Sequence, residues 1–208
     1  MARGKLITIE GIDGAGKSTL AASLTDALRE RDVDARLLRE PGGVQASERI
    51  RELVKDPELR IGGRAEALLY AAARAQLVEE AIAPLLNQGA WVLLDRFVDS
   101  SLAYQGAGRD LGLQAVRAIN AFGIGELVPD RTLLLSLAPE LGRQRSDVRA
   151  MPVDRLERED ENFFSRIAGA YAELARSEPE RIRVLDASEP PERVLAAALA
   201  QLSDLFPA

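Results

Sequence analysis

The stretch Gly-Ile-Asp-Gly-Ala-Gly-Lys-Ser at residues 11–18 matches the pattern GxxxxGK[ST] of a phosphate-binding loop. An apolar, strand-like run, Leu6 to Ile9, precedes it, and a helix-prone segment, Ser18 to Arg31, follows it. In this context the loop N–H groups and the N-terminus of the helix surround a polyphosphate. The lysine reaches the β- and γ-phosphates, and the serine offers its hydroxyl to Mg²⁺. The sequence therefore predicts a nucleoside triphosphate site, since an accidental glycine-rich turn would have to match four positions and both flanks.

Composition limits the other possibilities. A chain of 208 residues fits one domain, and its longest apolar runs are too short to cross a bilayer. A net charge of −6 argues against a nucleic-acid surface. The chain has no cysteine and no histidine, so catalysis must use carboxylates, arginine, lysine, backbone dipoles or Mg²⁺. No export signal stands at the N-terminus, so we predict a soluble, cytoplasmic, single-domain protein over residues 1–208 that binds neither nucleic acid nor membrane.

Strand and helix signals alternate along the chain, which predicts a three-layer α/β/α fold with a five-stranded parallel sheet and helices on both faces. The predicted strands are Lys5 to Glu10, Ala35 to Arg39, Trp91 to Leu94, Thr132 to Leu137 and Ile182 to Leu185. The predicted helices are Lys17 to Arg31, Ala46 to Val54, Arg64 to Gln88, Leu113 to Phe122, Pro139 to Arg145, Arg155 to Arg176 and Pro191 to Leu205. Pro84 is expected to kink the third helix or to start a new segment.

Residues that directly follow the strands deserve attention, because ligands of such sheets bind outside the carboxyl ends of the strands. The second strand leads into Glu40 to Gly43, and the third leads into Asp95 and Arg96. In a protein with a phosphate-binding loop, this aspartate can hold Mg²⁺ and the arginine can grip a phosphate. A local ion pair is the alternative for Asp95 and Arg96.

Two further groups of residues are candidates for nucleotide contacts. Tyr70 and Arg74 stand four residues apart on the long predicted helix, so they share a face on which a ring could stack on a base and a guanidinium could donate to a carbonyl. The polar run from Asp99 to Gly106, read as a loop, offers hydroxyls and an amide beyond the third strand. An exposed packing pair and an ordinary polar loop are the respective alternatives.

Several motifs together resemble the bacterial thymidylate kinases of the type that carries its catalytic arginine in a lid. The motifs are Glu10 to Ser18, Arg39 to Gly43, Tyr70 to Gln76, Asp95 to Phe97 and Ala103 to Arg109, closed by Asp154 to Glu157 with Phe163 and Phe164. Their order and spacing agree across nearly the whole chain. The resemblance implies transfer of the γ-phosphoryl group of Mg·ATP to the 5′-phosphate of dTMP, giving dTDP and ADP. A homodimer is also expected from the resemblance.

The resemblance implies a donor site around the loop. The residues expected to bind ATP are Gly11, Ile12, Asp13, Gly14, Ala15, Gly16, Lys17, Ser18 and Thr19. Lys17 is expected to act on the phosphates, Ser18 to bind Mg²⁺, and Asp95 to support the metal or its waters.

The resemblance implies an acceptor site as well. Asp13 is expected to meet the 3′-hydroxyl of dTMP, while Arg51 and Arg96 hold its phosphate and Glu40 orients that region. Tyr70 is expected to stack on thymine and Arg74 to bond its O4. The nucleoside site is completed by Ser101, Tyr104 and Gln105. Family members often have phenylalanine in place of Tyr70, and tyrosine or histidine in place of Phe97.

The resemblance also gives a role to an arginine-rich stretch near residues 143–158. The other type of thymidylate kinase carries a catalytic arginine at the loop position that is Gly14 here. The charge is therefore expected from Arg143, Arg145 or Arg149, in a short lid at about residues 143–155 that also excludes water. A solvated helix end with ion pairs to Asp147, Asp154 and Glu157 is the alternative.

Other classes share only part of this pattern. A GTPase switch would need an Asn-Lys-x-Asp element, which the sequence lacks, and a nucleotide sensor would need no acceptor site. A deoxynucleoside kinase would need a carboxylate base beside a hydroxyl acceptor, for which Glu10 or Asp13 could serve. Thymidine-dependent turnover would favour the nucleoside kinase, and acceptor-independent turnover would favour a hydrolase.

Overall fold

The computed structural model describes residues 3–147, 155–156 and 159–206, and it contains the predicted parallel sheet. The strands lie in the order β2-β3-β1-β4-β5, and every neighbouring pair is parallel. They are β1 (Leu6–Gly11), β2 (Ala35–Arg39), β3 (Trp91–Asp95), β4 (Arg131–Ser136) and β5 (Ile182–Asp186). The three-layer α/β/α fold expected from the sequence is confirmed.

Helices connect the strands. They are α1 (Lys17–Arg29), α2 (Gln45–Lys55), α3 (Gly63–Leu77), α4 (Ala83–Asn87), α5 (Val98–Ser101), α6 (Leu113–Ile124), α7 (Pro139–Asp147), α8 (Glu161–Ser177) and α9 (Pro191–Ala200), with a 3₁₀ turn at Ser203–Leu205. Across these described ranges, no helix is both long and apolar enough to cross a membrane.

Side chains of alternate strand residues pack into two clusters. Ile7 and Ile9 of β1 belong to the larger cluster, whereas Leu6 belongs to the smaller one together with Leu77 of α3. Since successive side chains of a strand point to opposite faces, both faces of the sheet are covered. This double burial explains why the strands are short and mostly apolar.

The register of the sheet brings the strand ends together. Asp95 at the end of β3 stands opposite Ile9 of β1 and Arg39 of β2. The phosphate-binding loop after β1, Glu40 after β2 and Arg96 after β3 therefore start from one edge of the sheet. This is the edge where the sequence predicted the site.

Two helical segments contain a π-helical turn that the sequence did not indicate. Between α3 and α4, residues Val78–Ile82 are π-helical, and Pro84 lies in the first turn of α4, so it starts a new segment, which is one of the two expectations for this proline. A proline lacks the N–H that an α-helix needs, so the wider turn lets the chain continue as one long helix. The run from Asp99 to Gly106 is not the predicted loop, since α5 continues into a π-helical segment at Leu102–Gly108.

The start of α8 also corrects the sequence prediction. That helix was expected from Arg155, but it begins at Glu161, because the Asp160 side chain caps it by accepting a hydrogen bond from the Phe163 N–H at 2.8 Å. Arg155 and Leu156 lie in a turn. Of the predicted lid at 143–155, the first residues belong to α7, and residues 148–154 lie outside the described part of the chain.

Candidate active site

The phosphate-binding loop has the backbone that its glycines permit. Gly14 and Gly16 have φ angles of 79° and 94°, in the left-handed region that side chains disfavour, and Gly16 is the N-cap of α1. The Lys17 Nζ donates to the carbonyl of Ile12 at 2.8 Å and lies 3.7 Å from Asp13 Oδ1. Burial, and after it the charge of Arg96, lowers the pKa of Lys17 to about 8. The loop thus holds a buried cation at the N-terminus of a helix.

Two oxygen ligands meet beside this lysine. The Ser18 hydroxyl donates to Asp95 Oδ2 at 2.7 Å. Adjacent ligands of an octahedral Mg²⁺ stand about 3 Å apart, and Mg²⁺ is usually held by one or two protein oxygens together with substrate phosphates. No group of three or more acidic side chains that could hold a metal occurs within the described ranges. The pair Ser18 and Asp95 therefore fits a Mg²⁺ that arrives with a triphosphate, rather than a metal caged by the protein alone.

Arg96 links the loop to the end of β3. Its Nη2 donates to Asp13 Oδ1 at 2.6 Å and to the Tyr104 hydroxyl at 3.2 Å, while Tyr104 donates to Asp13 Oδ2 at 2.9 Å. Arg96 has a φ of 72°, which is rare for an arginine and is held here by these contacts. Burial would raise the pKa of Asp13, but the charges of Arg96 and Lys17 outweigh it and hold that pKa well below its usual range.

A buried carboxylate, Glu10, supports Arg96 from behind. Its oxygens accept hydrogen bonds from the Phe97 N–H at 2.7 Å, the Ser100 hydroxyl at 2.6 Å and the Tyr171 hydroxyl at 2.9 Å. The Ser100 hydroxyl in turn accepts from Arg96 Nη1 at 3.0 Å. Burial, and after it the charge of Asp99, raises the pKa of Glu10 to about 6. Glu10 has no exposed surface, so it orders the neighbours of Arg96 rather than meeting a ligand.

Arg74 lies in a second buried network. Its Nε and Nη2 both lie 2.7 Å from Glu40 Oε2, and Nη2 also donates to the carbonyl of Phe97 at 2.9 Å. Its Nη1 donates to the Ser101 hydroxyl at 3.0 Å and to Asn120 Oδ1. Every nitrogen of this guanidinium thus faces protein acceptors. The predicted bond from Arg74 to thymine O4 stays a prediction, and it requires one of these contacts to be shared or opened.

The remaining predicted acceptor residues lie around this network. Arg51 donates to the carbonyl of Pro41 at 2.9 Å, beside Glu40, and Tyr70 is half-buried against the larger core cluster. Ser101 is bonded to Arg74, as described above. The Gln105 amide instead donates to Glu66 Oε1 at 2.8 Å, and Gln105 is buried. The structure therefore places Arg51 beside Glu40 and keeps Tyr70 one turn before Arg74 on α3, and it turns the amide of Gln105 toward another carboxylate.

Helix α7 packs directly on the phosphate-binding loop. A Cβ atom added to Gly14 would lie 2.0 Å from the carbonyl oxygen of Gly142, so position 14 admits no side chain. This contact explains why an arginine cannot stand at Gly14 and brings α7, with Arg143 and Arg145, next to the loop. Arg143 pairs with Glu161 at 2.9 Å, and Arg145 donates to the carbonyl of Ala187 at 2.9 Å. Arg149 lies outside the described residues.

Sequence reasoning missed several residues that hold the site in place. Glu66, Arg109 and Arg155 form one cluster, and Asn120 and Tyr171 complete the two networks described above. The spacing did contain a signal for Glu66, because it lies four residues before Tyr70 and eight before Arg74, on the same helix face. No motif includes Asn120 or Tyr171, and nothing in their spacing indicates a partner, because their contacts lie far away along the chain.

The comparisons with known proteins agree on one family. A family model described as thymidylate kinase matches residues 9–198. The chain is 47% identical over 204 residues to a thymidylate kinase of Deinococcus radiodurans, covering 98% of each chain. It is 48% identical over 208 residues to one of Oenococcus oeni, covering 96% of this chain and 95% of that one. The crystal structure of thymidylate kinase from Ehrlichia chaffeensis superposes with a TM-score of 0.80 at 26% identity, covering 97% of this chain and 99% of that chain.

Proposed function

We infer that this chain, which belongs to the thymidylate kinase family, transfers the γ-phosphoryl group of ATP to the 5′-phosphate of dTMP, giving dTDP and ADP. It is an ATP-dependent phosphotransferase. One observation carries the assignment in the structure: Asp13 lies between two cations, with Lys17 of the phosphate-binding loop 3.7 Å away and Arg96 2.6 Å away. A donor phosphate bound by Lys17 and an acceptor phosphate bound by Arg96 would therefore face each other across a short gap, as phosphoryl transfer requires.

The loop residues Gly11 to Thr19 are proposed to bind the ATP phosphates. Their N–H groups and Lys17 hold the β- and γ-phosphates in place. Ser18 and Asp95 would hold Mg²⁺, directly or through water, because their oxygens meet at 2.7 Å beside the loop. Mg²⁺ held by these residues would supply positive charge to neutralise the negative charge that develops on the phosphoryl group during transfer. The contribution of the chain is to fix these groups before the substrates meet.

The acceptor is proposed to bind between the loop and α3. Arg96 and Arg51 hold its 5′-phosphate, and Asp13 accepts a hydrogen bond from the 3′-hydroxyl. The ring of Tyr70 stacks on thymine, on the same helix face as Arg74. Glu40 orients Arg74, since two nitrogens of that guanidinium lie 2.7 Å from Glu40 Oε2. The nucleoside site is proposed to be lined by Ser101 and Tyr104. Gln105 contributes to it by fixing the helix that carries these two residues.

The reaction needs no general base, which fits a chain without histidine. A phosphate monoester has a second pKa near 6 and is a dianionic nucleophile at neutral pH. A deoxynucleoside kinase would need a carboxylate to accept the proton of a hydroxyl. Glu10 is fully buried and receives several hydrogen bonds, and the lowered pKa of Asp13 makes it a weak base. Both candidate bases are therefore unsuited to the alternative.

Charge for the transition state is proposed to come from α7 and the residues after it, as a lid over about 143–155. Arg143 is 44% exposed in its side chain, and its partner Glu161 is exposed too, so Arg143 can exchange this ion pair for a phosphate without leaving a buried partner. Arg145 is also exposed, but it would give up its hydrogen bond to the carbonyl of the buried Ala187. Arg149 is the third candidate. An arginine in this role stabilises the charge that spreads over the transferred group.

The chain is also proposed to form a homodimer through α2, α3 and α6. These helices pack in sequence, α2 on α3 and α3 on α6, and they expose Leu53, Leu68 and Phe122. The Phe122 side chain is 96% exposed, which a second copy would cover. Light scattering should give the mass of a dimer for the wild type and a smaller mass for Phe122→Glu. We further propose a cytoplasmic enzyme that acts on free nucleotides, without a nucleic-acid partner.

A coupled assay of ADP release tests the proposed function. With Mg·ATP, release should depend on dTMP and should be slow with thymidine or with no acceptor. Lys17→Met should abolish it, and chelation of Mg²⁺ should stop it in the wild type. Turnover that needs no acceptor would contradict the assignment in favour of a hydrolase, and turnover with thymidine would contradict it in favour of a nucleoside kinase.

A further inference from the structure

Glu66, in the first turn of α3, is a buried carboxylate with three partners that none of the roles above explains. It has no exposed surface. Its oxygens accept hydrogen bonds from Gln105 Nε2 at 2.8 Å, Arg109 Nη2 at 3.1 Å and Arg155 Nη2 at 2.6 Å. Two guanidinium groups thus converge on one carboxylate, and a second carboxylate, Glu159, pairs with Arg109 at 2.5 Å. The cluster is balanced in charge, which a buried set of ions requires.

The arginines of this cluster hold the described residues just before α8, and the first turn of α8, against the rest of the protein. Arg155 also donates to the carbonyl of Val54, in α2, at 3.1 Å, and the next residue, Leu156, is buried in the larger core cluster. Arg109 lies over the ring of Phe163 in α8, with its guanidinium carbon 4.9 Å from the ring centroid. Glu66 therefore holds residue 155 directly, and it holds residues 159 and 163 through Arg109.

The first turn of α8 connects this cluster to the arginines of α7. Arg143 pairs with Glu161 at 2.9 Å and lies over the ring of Phe164 at 5.8 Å. The rings of Phe163 and Phe164 contact each other edge to face at 5.5 Å. A continuous series of contacts thus runs from Glu66 through Arg109 and the start of α8 to Arg143.

The other end of this series of contacts is α3, which carries the proposed acceptor residues Tyr70 and Arg74 and is called the acceptor helix below. Glu66, Tyr70 and Arg74 follow each other at four-residue spacing, so they lie along one face of α3. The helix itself is held independently, because Ala67, Ala73 and Leu77 are buried. Loss of the Glu66 charge should therefore release Arg155 and the start of α8 while leaving the acceptor residues in place.

We propose that Glu66 is a positioning residue for phosphoryl transfer, which holds the start of α8, and with it Arg143, at a fixed place relative to the acceptor helix. The proposal rests on the assigned function and on the role proposed for the arginines of α7. A buried ion cluster contributes little net stability compared with apolar packing, so what it adds here is a fixed geometry. Catalysis depends on such placement, since a small displacement of a charged group costs much of its effect.

The test compares Glu66→Gln, Arg155→Gln and the double variant with the wild type. Glutamine keeps the size of the side chain and removes the charge that both arginines share. We expect kcat to fall about 10-fold in Glu66→Gln, with KM for dTMP changed less than about 3-fold. ADP release without dTMP, measured as a fraction of release with dTMP, should rise. Because Glu66 and Arg155 contact each other, the fold-decrease of kcat in the double variant should be smaller than the product of the fold-decreases in the two single variants.

Arg131→Gln is the matched control. Arg131 is buried, as Arg155 nearly is, and pairs with Asp204 at 2.6 Å, although Asp204 is exposed; Arg131 lies at the opposite end of the sheet. All assays run well below the midpoint of thermal unfolding of each variant, so a general loss of stability should leave kcat of the control at the wild-type value. If Glu66→Gln does not fold, Arg155→Gln carries the test alone.

Three results would overturn the proposal: a wild-type kcat in Glu66→Gln or in Arg155→Gln, equal losses of kcat in Glu66→Gln and the control, or independent effects of Glu66 and Arg155. A wild type that releases no ADP in response to dTMP would instead overturn the assigned function, so the two failures are distinguishable.

Discussion

The arginines near the candidate site fall into two groups that differ in their surroundings. Arg74 is 1% exposed and has hydrogen-bond acceptors at every guanidinium nitrogen. Arg96 is held by Asp13 and by the ring and hydroxyl of Tyr104. Arg143 and Arg145 lie on the exposed face of α7, each with one side-chain hydrogen bond among the described contacts.

This difference indicates that the two groups of arginines have different roles. A guanidinium whose N–H groups are all committed to buried acceptors has a fixed position, so it suits the binding of a substrate that keeps its charge. A guanidinium on an exposed helix keeps the place that the helix gives it, and its side chain can exchange an exposed ion pair for charge that appears only during transfer, at little cost in stability. The buried arginines should therefore matter most for folding and acceptor binding, and the exposed ones for the rate of transfer.

Replacement of the exposed arginines should have the largest effect on catalysis. Among Arg143→Met, Arg145→Met and Arg149→Met, we expect one variant to lower kcat about 10³-fold, because its charge stabilises the transferring group. KM for dTMP should stay nearly unchanged, since the residues proposed to bind the acceptor lie on other elements than α7. Steady-state kinetics with saturating ATP measures both.

The same variants should unfold at nearly the wild-type temperature, because exposed ion pairs contribute about 0–1 kcal/mol. An undiminished kcat in all three variants would contradict the proposal that the exposed arginines set the rate of transfer. It would place the required charge on Lys17, Arg96 and Mg²⁺ alone.

Replacement of a buried arginine should act mainly on stability. Arg74→Met leaves the Glu40 carboxylate and the Asn120 side chain without their partner, and Glu40 Oε1 already has no hydrogen bond. We expect the free energy of unfolding to fall by about 3–5 kcal/mol, measured by urea denaturation.

The control is the double variant Arg74→Met with Glu40→Gln, which removes the stranded charge as well. It should recover part of the loss, because a buried pair is costlier to break than to replace. If the free energy of unfolding falls by less than about 1 kcal/mol in Arg74→Met, Arg74 behaves like the exposed arginines, and the proposed difference between the two groups is wrong.

The sequence predicted the fold and the edge of the sheet where the site lies because these depend on local patterns. Apolar runs set the strands, and glycines with a lysine and a serine set the loop at residues 11–18. The same local reasoning expected a new helical segment at Pro84, which lies in the first turn of α4, but it failed at residues 99–106, where polar side chains suggested a loop and the chain is helical. At residues 99–106 tertiary packing outweighed the local signal.

The buried networks could not be predicted for a different reason. Glu66 and Arg155 are 89 positions apart, and Glu10 and Tyr171 are 161 apart, so their contacts exist only after the chain has folded. Gly14 is a position where the sequence gives the residue but not the reason for it. The sequence shows that Gly14 is not an arginine, and the structure shows why: a Cβ atom added there would lie 2.0 Å from the carbonyl oxygen of Gly142.

Lys17 stands between the two groups of arginines and should show the smallest effect, as a dependence on pH. It is buried like Arg74, but an ammonium can lose its proton where a guanidinium cannot. Burial and the charge of Arg96 lower its pKa to about 8, so the free protein should bind ATP with constant affinity below that pH and more weakly above it. Since ATP is fully ionised in this range, we expect up to about tenfold weaker binding one pH unit above the pKa, measured by calorimetry from pH 7 to pH 9.5. Lys17→Arg keeps its charge and should bind ATP without this dependence, at whatever affinity the larger group allows. A flat wild-type profile to pH 9.5 would mean that burial and the charge of Arg96 do not lower the pKa of Lys17, and that Lys17 keeps its charge in the free protein as the arginines do.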